Sequence, residues 1–264
     1  MWKDAGLLLD NSGLIRLSNT TDSGYPEGDG VMKEDMISNA LIWLMSKLVN
    51  YIAAGDGMNP IPAGHRSDEP QVEKQCHIGI NQQTLLERWQ EIQDQIKVWF
   101  NGLPDTFKPC ARVEPPRNVS QTDNEDRSPV FSEVWYSIPM CASTMQSYHM
   151  ARILLLINKP HESTARRSTV ANRLQSYRSI EAEIRYHSHE VCGIALSRPE
   201  GSVRIHQLQP LFVAGQCLTE PRERRVILDL LRSIEADLGW ATEYRVQQLL
   251  KEWGWDDGGG ASLT

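Results

Sequence analysis

From Met32 onward the apolar residues Met36, Ile37, Leu41, Leu44, Leu48 and Ile52 recur mostly at intervals of three and four. That repeat puts side chains on one face of an α-helix, and Gly55 marks its end. It predicts an amphipathic helix of about six turns. A Pro- and Gly-rich loop follows from 56 to about 79. Leu85, Trp89, Ile92, Ile96 and Trp99 then share one face before Gly102 and Pro104 stop a second helix. Residues 108–129 hold Pro109, Pro115, Pro116 and Pro129 around the polar run 120–127. With so few apolar groups to bury, they predict a long, mobile, protease-sensitive surface loop.

Beyond the loop, Pro139 reads as a helix start, and the helix running to about Asn158 is apolar nearly all round, as expected of one buried between neighbours. Cys141, Ala142 and Ser143 allow a partner close, and Pro160 forces the chain out of helical geometry at Lys159. Val170, Leu174, Tyr177, Ile180, Ile184, Val191 and Ala195 predict one long helix reaching 197–199. Shorter helices over 210–218, 221–238 and 242–253 follow, with Thr219 and Thr242 as N-caps and Gly239 as a stop. In this last block Phe212, Leu230, Ile234, Leu238, Trp240 and Trp253 are spaced to close three helices on one another and on the helix at 139–158. No stretch sustains two-residue alternation, so the fold class is all-α. The expected organisation is an irregular N-terminal segment at 1–30, a single multi-helix domain at 31–255 and a flexible tail at 256–264.

Composition narrows the function classes. A chain of 264 residues, 40% hydrophobic, can bury a sizeable core. A net charge of -7 and a pI near 5.5 argue against autonomous nucleic-acid binding, which needs clustered cations to displace phosphate counterions. The nearest basic clusters, Arg166-Arg167 and Arg222-Glu223-Arg224-Arg225, lie in mixed-charge helical surroundings and read as solvated surface. The cysteines at 76, 110, 141, 192 and 217 give neither a disulfide framework nor a zinc-ribbon spacing. They read as free thiols in a reducing compartment, nuclear or cytosolic. The N-terminus shows no basic-then-apolar leader, the longest apolar runs such as 153–157 are too short to span a bilayer, and the sequons at Asn19 and Asn118 read as noise.

The sequence carries few marks of catalytic chemistry. His161-Glu162 and His189-Glu190 begin like a zinc-protease motif, but Ala165 and Gly193 stand where the second histidine would be. There is no phosphate-cradling loop, dinucleotide fingerprint or nucleophile elbow. His187, His189, Cys192 and His206 cluster within a short stretch, and His189 and Cys192 share a helical face, yet without a second close pair they read as surface or core side chains rather than a metal site. Among the eight tryptophans, Trp43, Trp89, Trp99 and Trp135 fit core packing better than the lining of a ligand pocket. No catalytic, cofactor-binding or metal residue is assigned, and no cofactor is expected.

Two blocks carry a family resemblance. One is Gln209-Pro210-Leu211-Phe212-Val213-Ala214-Gly215-Gln216-Cys217-Leu218, followed by Leu238-Gly239-Trp240-Ala241-Thr242-Glu243-Tyr244 and Leu249-Leu250-Lys251-Glu252-Trp253-Gly254-Trp255. The other is Trp135-Tyr136-Ser137-Ile138-Pro139-Met140-Cys141-Ala142, running into Tyr148-His149-Met150-Ala151-Arg152-Ile153-Leu154-Leu155-Leu156-Ile157-Asn158-Lys159-Pro160. In this order they resemble the regulatory domain of fungal zinc-cluster transcription factors, over about 31–255. The resemblance implies an all-α, non-enzymatic nuclear domain that senses metabolic signals or partners and controls an attached DNA-binding module. The six-cysteine array of such factors is absent from this chain, so sequence-specific DNA binding is not expected of it. The chain then reads as the C-terminal portion of a longer product from a misassigned gene start, or as a stand-alone relative. The expected partners are other transcription factors or a second copy, with a small-molecule effector and without DNA or membrane. The rival reading is a small-molecule-binding protein or enzyme on the same helical scaffold.

Overall fold

The computed structural model describes residues 7–9, 15–17, 30–56, 72–115, 129–160 and 170–255. The chain divides into two compact units, the first comprising Met1–Pro104 with Ile157–Arg167 and the second Asp105–Leu156 with Ser168–Thr264. In the first unit, helix α1 spans Gly30–Asp56 and helix α2 spans Val72–Asn101. The predicted stripes are the ones that pack: Ile37, Leu41, Leu44, Leu48 and Tyr51 of α1 are buried, as are Trp89, Ile92, Ile96 and Trp99 of α2. The Trp99 indole Nε1 donates to the Ile37 carbonyl at 3.0 Å, which joins the two helices at a buried point. Strands β1 (Leu7–Leu9) and β2 (Ile15–Leu17) form a small antiparallel ladder ahead of α1.

The stretch Lys33–Ala53 is long and apolar enough by length and composition to cross a membrane, with a mean hydropathy of 1.2. This corrects the reading from uninterrupted runs alone. The window mixes its apolar residues with Glu34, Ser38 and Lys47, and the stripe just named accounts for its hydropathy by packing against α2.

The second unit opens with a 3-10 turn at Asp105–Phe107 and an antiparallel pair, β3 (Ala111–Val113) and β4 (Glu133–Trp135). Part of the expected loop at 108–129 is therefore strand. At three residues each, these strands are too short to register as alternation. Helix α3 spans Pro139–Ile157, α4 Val170–Leu196, α5 Gly201–His206, α6 Leu208–Cys217, α7 Pro221–Leu238 and α8 Glu243–Trp253. The all-α class holds, with the two small ladders as additions. The N-terminal segment outside β1, β2 and the start of α1, the middle of the polar loop at 116–128, the tail at 256–264, Arg166-Arg167, His161-Glu162 and both sequons lie outside the described residues.

The core of this unit forms where α6 crosses α4 and α7 and α8 close over α6. Val191, Cys192 and Ala195 of α4 meet Leu211, Phe212 and Ala214 of α6, Ile227, Leu231 and Ile234 of α7, and Val246 and Leu249 of α8. The main-chain partner of the C-terminal block is thus α4, whereas α3 meets α4 through side chains such as Gln146, whose Nε2 donates to the Val191 carbonyl at 3.1 Å. Leu238 and Trp240, expected inside, are 37% and 49% exposed, because Gly239 takes a left-handed turn with φ 67° that ends α7 and leaves its neighbours at the surface.

Caps also differ from expectation. Pro221 starts α7 with Glu220, not Thr219, before it. Thr242 does precede α8, but its hydroxyl donates to the Leu231 carbonyl at 2.8 Å. The orphan amides of Thr242 and Glu243 instead donate to Glu235 Oε2 at 2.7 and 2.8 Å, and these bonds hold the Glu235 carboxyl below its ordinary pKa.

Candidate functional site

One side of α4 carries a cluster of charged side chains, among them Arg185 and Glu190. In the antiparallel register Arg112 stands opposite Val134, so both lie on the hairpin face turned toward α4. Val134 is buried against Gly193, where an added Cβ would fall inside the Ser132 carbonyl oxygen and 2.9 Å from Val134 Cγ2. In sequence Gly193 was only the missing ligand of a failed zinc motif. Its role is to let strand backbone lie directly on the helix, which offsets the intrinsic cost of a mid-helix glycine, about 1 kcal/mol.

That close approach brings the Arg112 guanidinium onto Glu190 in a bidentate pair, both N–O distances 2.8 Å, with the Glu190 side chain nearly buried. The pairing raises the pKa of Arg112, chiefly through the hydrogen bond. Burial drives the Tyr136 hydroxyl well above its usual pKa, and the Glu190 charge adds to the shift. Next to this pair, Arg112, Val130, Ser132, Ala182, Arg185, Tyr186, His189 and Glu190 line an open cleft of about 430 Å³.

Behind the cleft, α7 supplies Glu223, only 2% exposed. Its Oε1 accepts from Arg185 Nη2 at 2.6 Å and lies 3.0 Å from His189 Nε2, while Oε2 is buried with no hydrogen-bond partner. Phe131 meets the His189 ring edge to face at 4.9 Å. Both arginines of the cleft are therefore matched by buried carboxylates, and the wall is polar but nearly charge-balanced.

The four residues weighed as a metal cluster are held in different environments. His187 turns toward α3, where its Nδ1 lies 2.8 Å from His149 Nδ1. Burial pushes the pKa of His149 well below its ordinary value and that of His187 down to about 4, so both rings are neutral near pH 7 and one must donate to the other. The Arg152–Glu183 pair lies beside them. His189 faces Glu223, Cys192 is sealed in the core with its thiol pushed up by burial, and His206 is exposed at the end of α5. Among the described residues, no three His, Cys, Asp or Glu side chains converge in a way that could hold a metal ion.

The tryptophans separate too. Trp89 and Trp99 pack between α1 and α2, Trp43 is partly exposed beneath the Lys47 ammonium, and Trp135 is on β4 of the other unit. In the basic run at 222–225, Arg224 stacks near Trp253 and Trp255 and donates to the Leu218 carbonyl, so it is a packing residue rather than a phosphate contact. Sequence reasoning missed Arg112, Glu190, Arg185 and Glu223. The available signal was Glu190 placed directly before the apolar run 191–196, where a buried carboxylate would need a partner.

Residues 65–254 match the model of the fungal specific transcription factor domain. The chain belongs to this family. It is also 46% identical over 254 residues to Transcription activator AMTR1 of Alternaria alternata, an alignment covering 96% of this chain and 32% of that protein. The chain thus spans about a third of the length of this relative. No solved structure matches. Both blocks that carried the resemblance in sequence fall in or at the edge of the matched region: 135–160 supplies β4's end and α3, and 209–255 supplies α6 to α8.

Proposed function

We propose that this chain is the regulatory part of a fungal transcription activator, acting in the nucleus through protein contacts and without catalysis of its own. The observation that carries the reading is the alignment of nearly the whole chain with a part of an activator about three times its length. The net charge of -7 supports the division of labour, since an acidic helical body lacks the cationic surface that DNA affinity requires. The Cys192 and Cys217 thiols, both raised by burial, are poorly suited to act as nucleophiles.

The test has two arms. Fused to a heterologous DNA-binding module, the chain should change transcription of a reporter carrying that module's site. The purified chain alone should select no DNA sequence in a gel-shift assay at moderate salt, and a preferred site would overturn the reading.

A specific observation also favours a small-molecule effector: the cleft beside α4 is of ligand size and joins arginine, tyrosine, histidine and serine side chains on one wall. A panel of small carboxylates and amino acids followed by thermal melting should include one that raises the Tm of the chain and fails to do so in Arg185→Ala. A panel without effect on either protein would remove the effector from the account.

A further inference from the structure

We infer that the cleft beside α4 binds a linear zwitterion, a dipeptide or an ω-amino acid, with its carboxylate on Arg185 and its ammonium on the flank of Glu190 and Glu114. The inference rests on the small-molecule reading of this cleft given above and names the ligand's chemistry.

Ala182 and His189 run along the middle of the α4 face that lines the cleft, with Arg185 on one flank and Glu190 on the other. The two flanking residues are five positions apart, about 7.5 Å along the helix axis. On the first flank Arg185 places only Nη2 on Glu223 Oε1, at 2.6 Å, and its side chain is 50% exposed. Among the described residues its other N–H groups have no acceptor. One full edge of the guanidinium is therefore free to take a carboxylate through two parallel bonds.

The opposite flank carries an excess of negative charge. Arg112 holds Glu190 through two bonds of 2.8 Å, and the Glu114 charge acts on the same guanidinium, so one cation faces two carboxylates. Glu114 also accepts from the hydroxyl of Ser132, a residue of the cleft wall, at 2.6 Å. The Tyr186 hydroxyl on this flank has no hydrogen-bond partner among the described residues. An ammonium gains from that charge and from that oxygen, while Val130 and Ala182 offer apolar contact to the body of the ligand.

These charges select the class. A simple anion would meet Glu190 and Glu114, and a simple cation would meet Arg185. A ligand with both charges, spaced like the flanks, is matched at each end. An α-amino acid carries both charges on one carbon and reaches one flank only.

Four probes separate these cases. ε-Aminocaproate has its charges at the two ends of an alkyl chain, leucine is its isomer with both on one carbon, caproate lacks the ammonium and hexylamine lacks the carboxylate. Isothermal titration calorimetry of the whole chain should give ε-aminocaproate a Kd on the order of a millimolar, with the other three at least about tenfold weaker. Arg185→Lys keeps a cation on Glu223 but removes the free edge, and should weaken ε-aminocaproate by about tenfold. Glu114→Gln, at an exposed position, should weaken ε-aminocaproate several-fold and leave caproate unchanged. Leucine, caproate or hexylamine binding as tightly as ε-aminocaproate to the unmodified chain would overturn the inference and leave the small-molecule reading standing. Binding by none of the four would also overturn it, while the wider ligand panel above still decides that reading.

Discussion

The two halves of α4 have the same helical periodicity and opposite surroundings. From Val191 to Ala195 every residue is buried, and α6, α7, α8 and β4 supply the neighbours. From 171 to 179 every residue is exposed, although Leu174 and Tyr177 continue the same apolar spacing. Spacing therefore specifies that a helix forms and which face is apolar. Whether that face is buried within the monomer depends on what the rest of the chain brings opposite it. In the second half the neighbours come from the same molecule. In the first half the apolar line faces solvent.

The sharpest contrast comes from truncating one apolar side chain in each half. Ile194→Ala should cost about 2–5 kcal/mol, because Ile194 is 0% exposed and the cavity cannot fully collapse. Leu174→Ala should change monomer stability by less than about 0.5 kcal/mol. Urea unfolding of both variants at low protein concentration measures the difference, and equal losses would remove the distinction between the halves.

Exchange of glycine and alanine should change sign along the helix. Ala171→Gly should destabilise by no more than about 1 kcal/mol, following helix propensity at an exposed site. At 193 propensity favours alanine, but the new Cβ would collide with the Ser132 carbonyl and Val134, so Gly193→Ala should destabilise by about 1–3 kcal/mol. A stabilised Gly193→Ala chain would mean that β4 does not lie on α4 as described.

Stability should also depend on pH. His149 and His187 are neutral in the folded chain, with His187 near 4 against an ordinary value of 6.5, while both have ordinary values when unfolded. Below pH 6.5 the unfolded chain therefore binds more protons. The stability these rings allow is full above pH 6.5 and is lost as pH falls, at up to about 1.4 kcal/mol per pH unit for each ring, levelling off for His187 below about 4. His187→Gln should show a shallower loss between pH 6.5 and 4 than the unmodified chain. Parallel pH profiles would contradict the buried histidine pair.

Much of this was legible in the sequence because the determining signals are local. The stripes of α1 and α2, the start of α3 at Pro139 and the stop at Gly239 follow from spacing and backbone chemistry within a few residues. What escaped is set by distant partners. β3 and β4 are three residues each and are recognisable only as a pair, and α5 buries little beyond Val203. Glu235, not the threonine beside the helix, satisfies the first amides of α8 from the preceding helix. The candidate site was the least legible part, since Arg112 and Glu190 are 78 residues apart and each is ordinary alone. Arg185 and Glu223 are likewise joined only by the fold.

Amide hydrogen exchange along α4, followed on dilute chain, tests the central claim most directly. The amides of 191–196 should exchange only through global unfolding, and those of 171–182 should exchange by local opening with much smaller free energies. Uniform slow exchange along the whole helix in the dilute chain would contradict the account, because it would mean that the first half is already covered within one molecule.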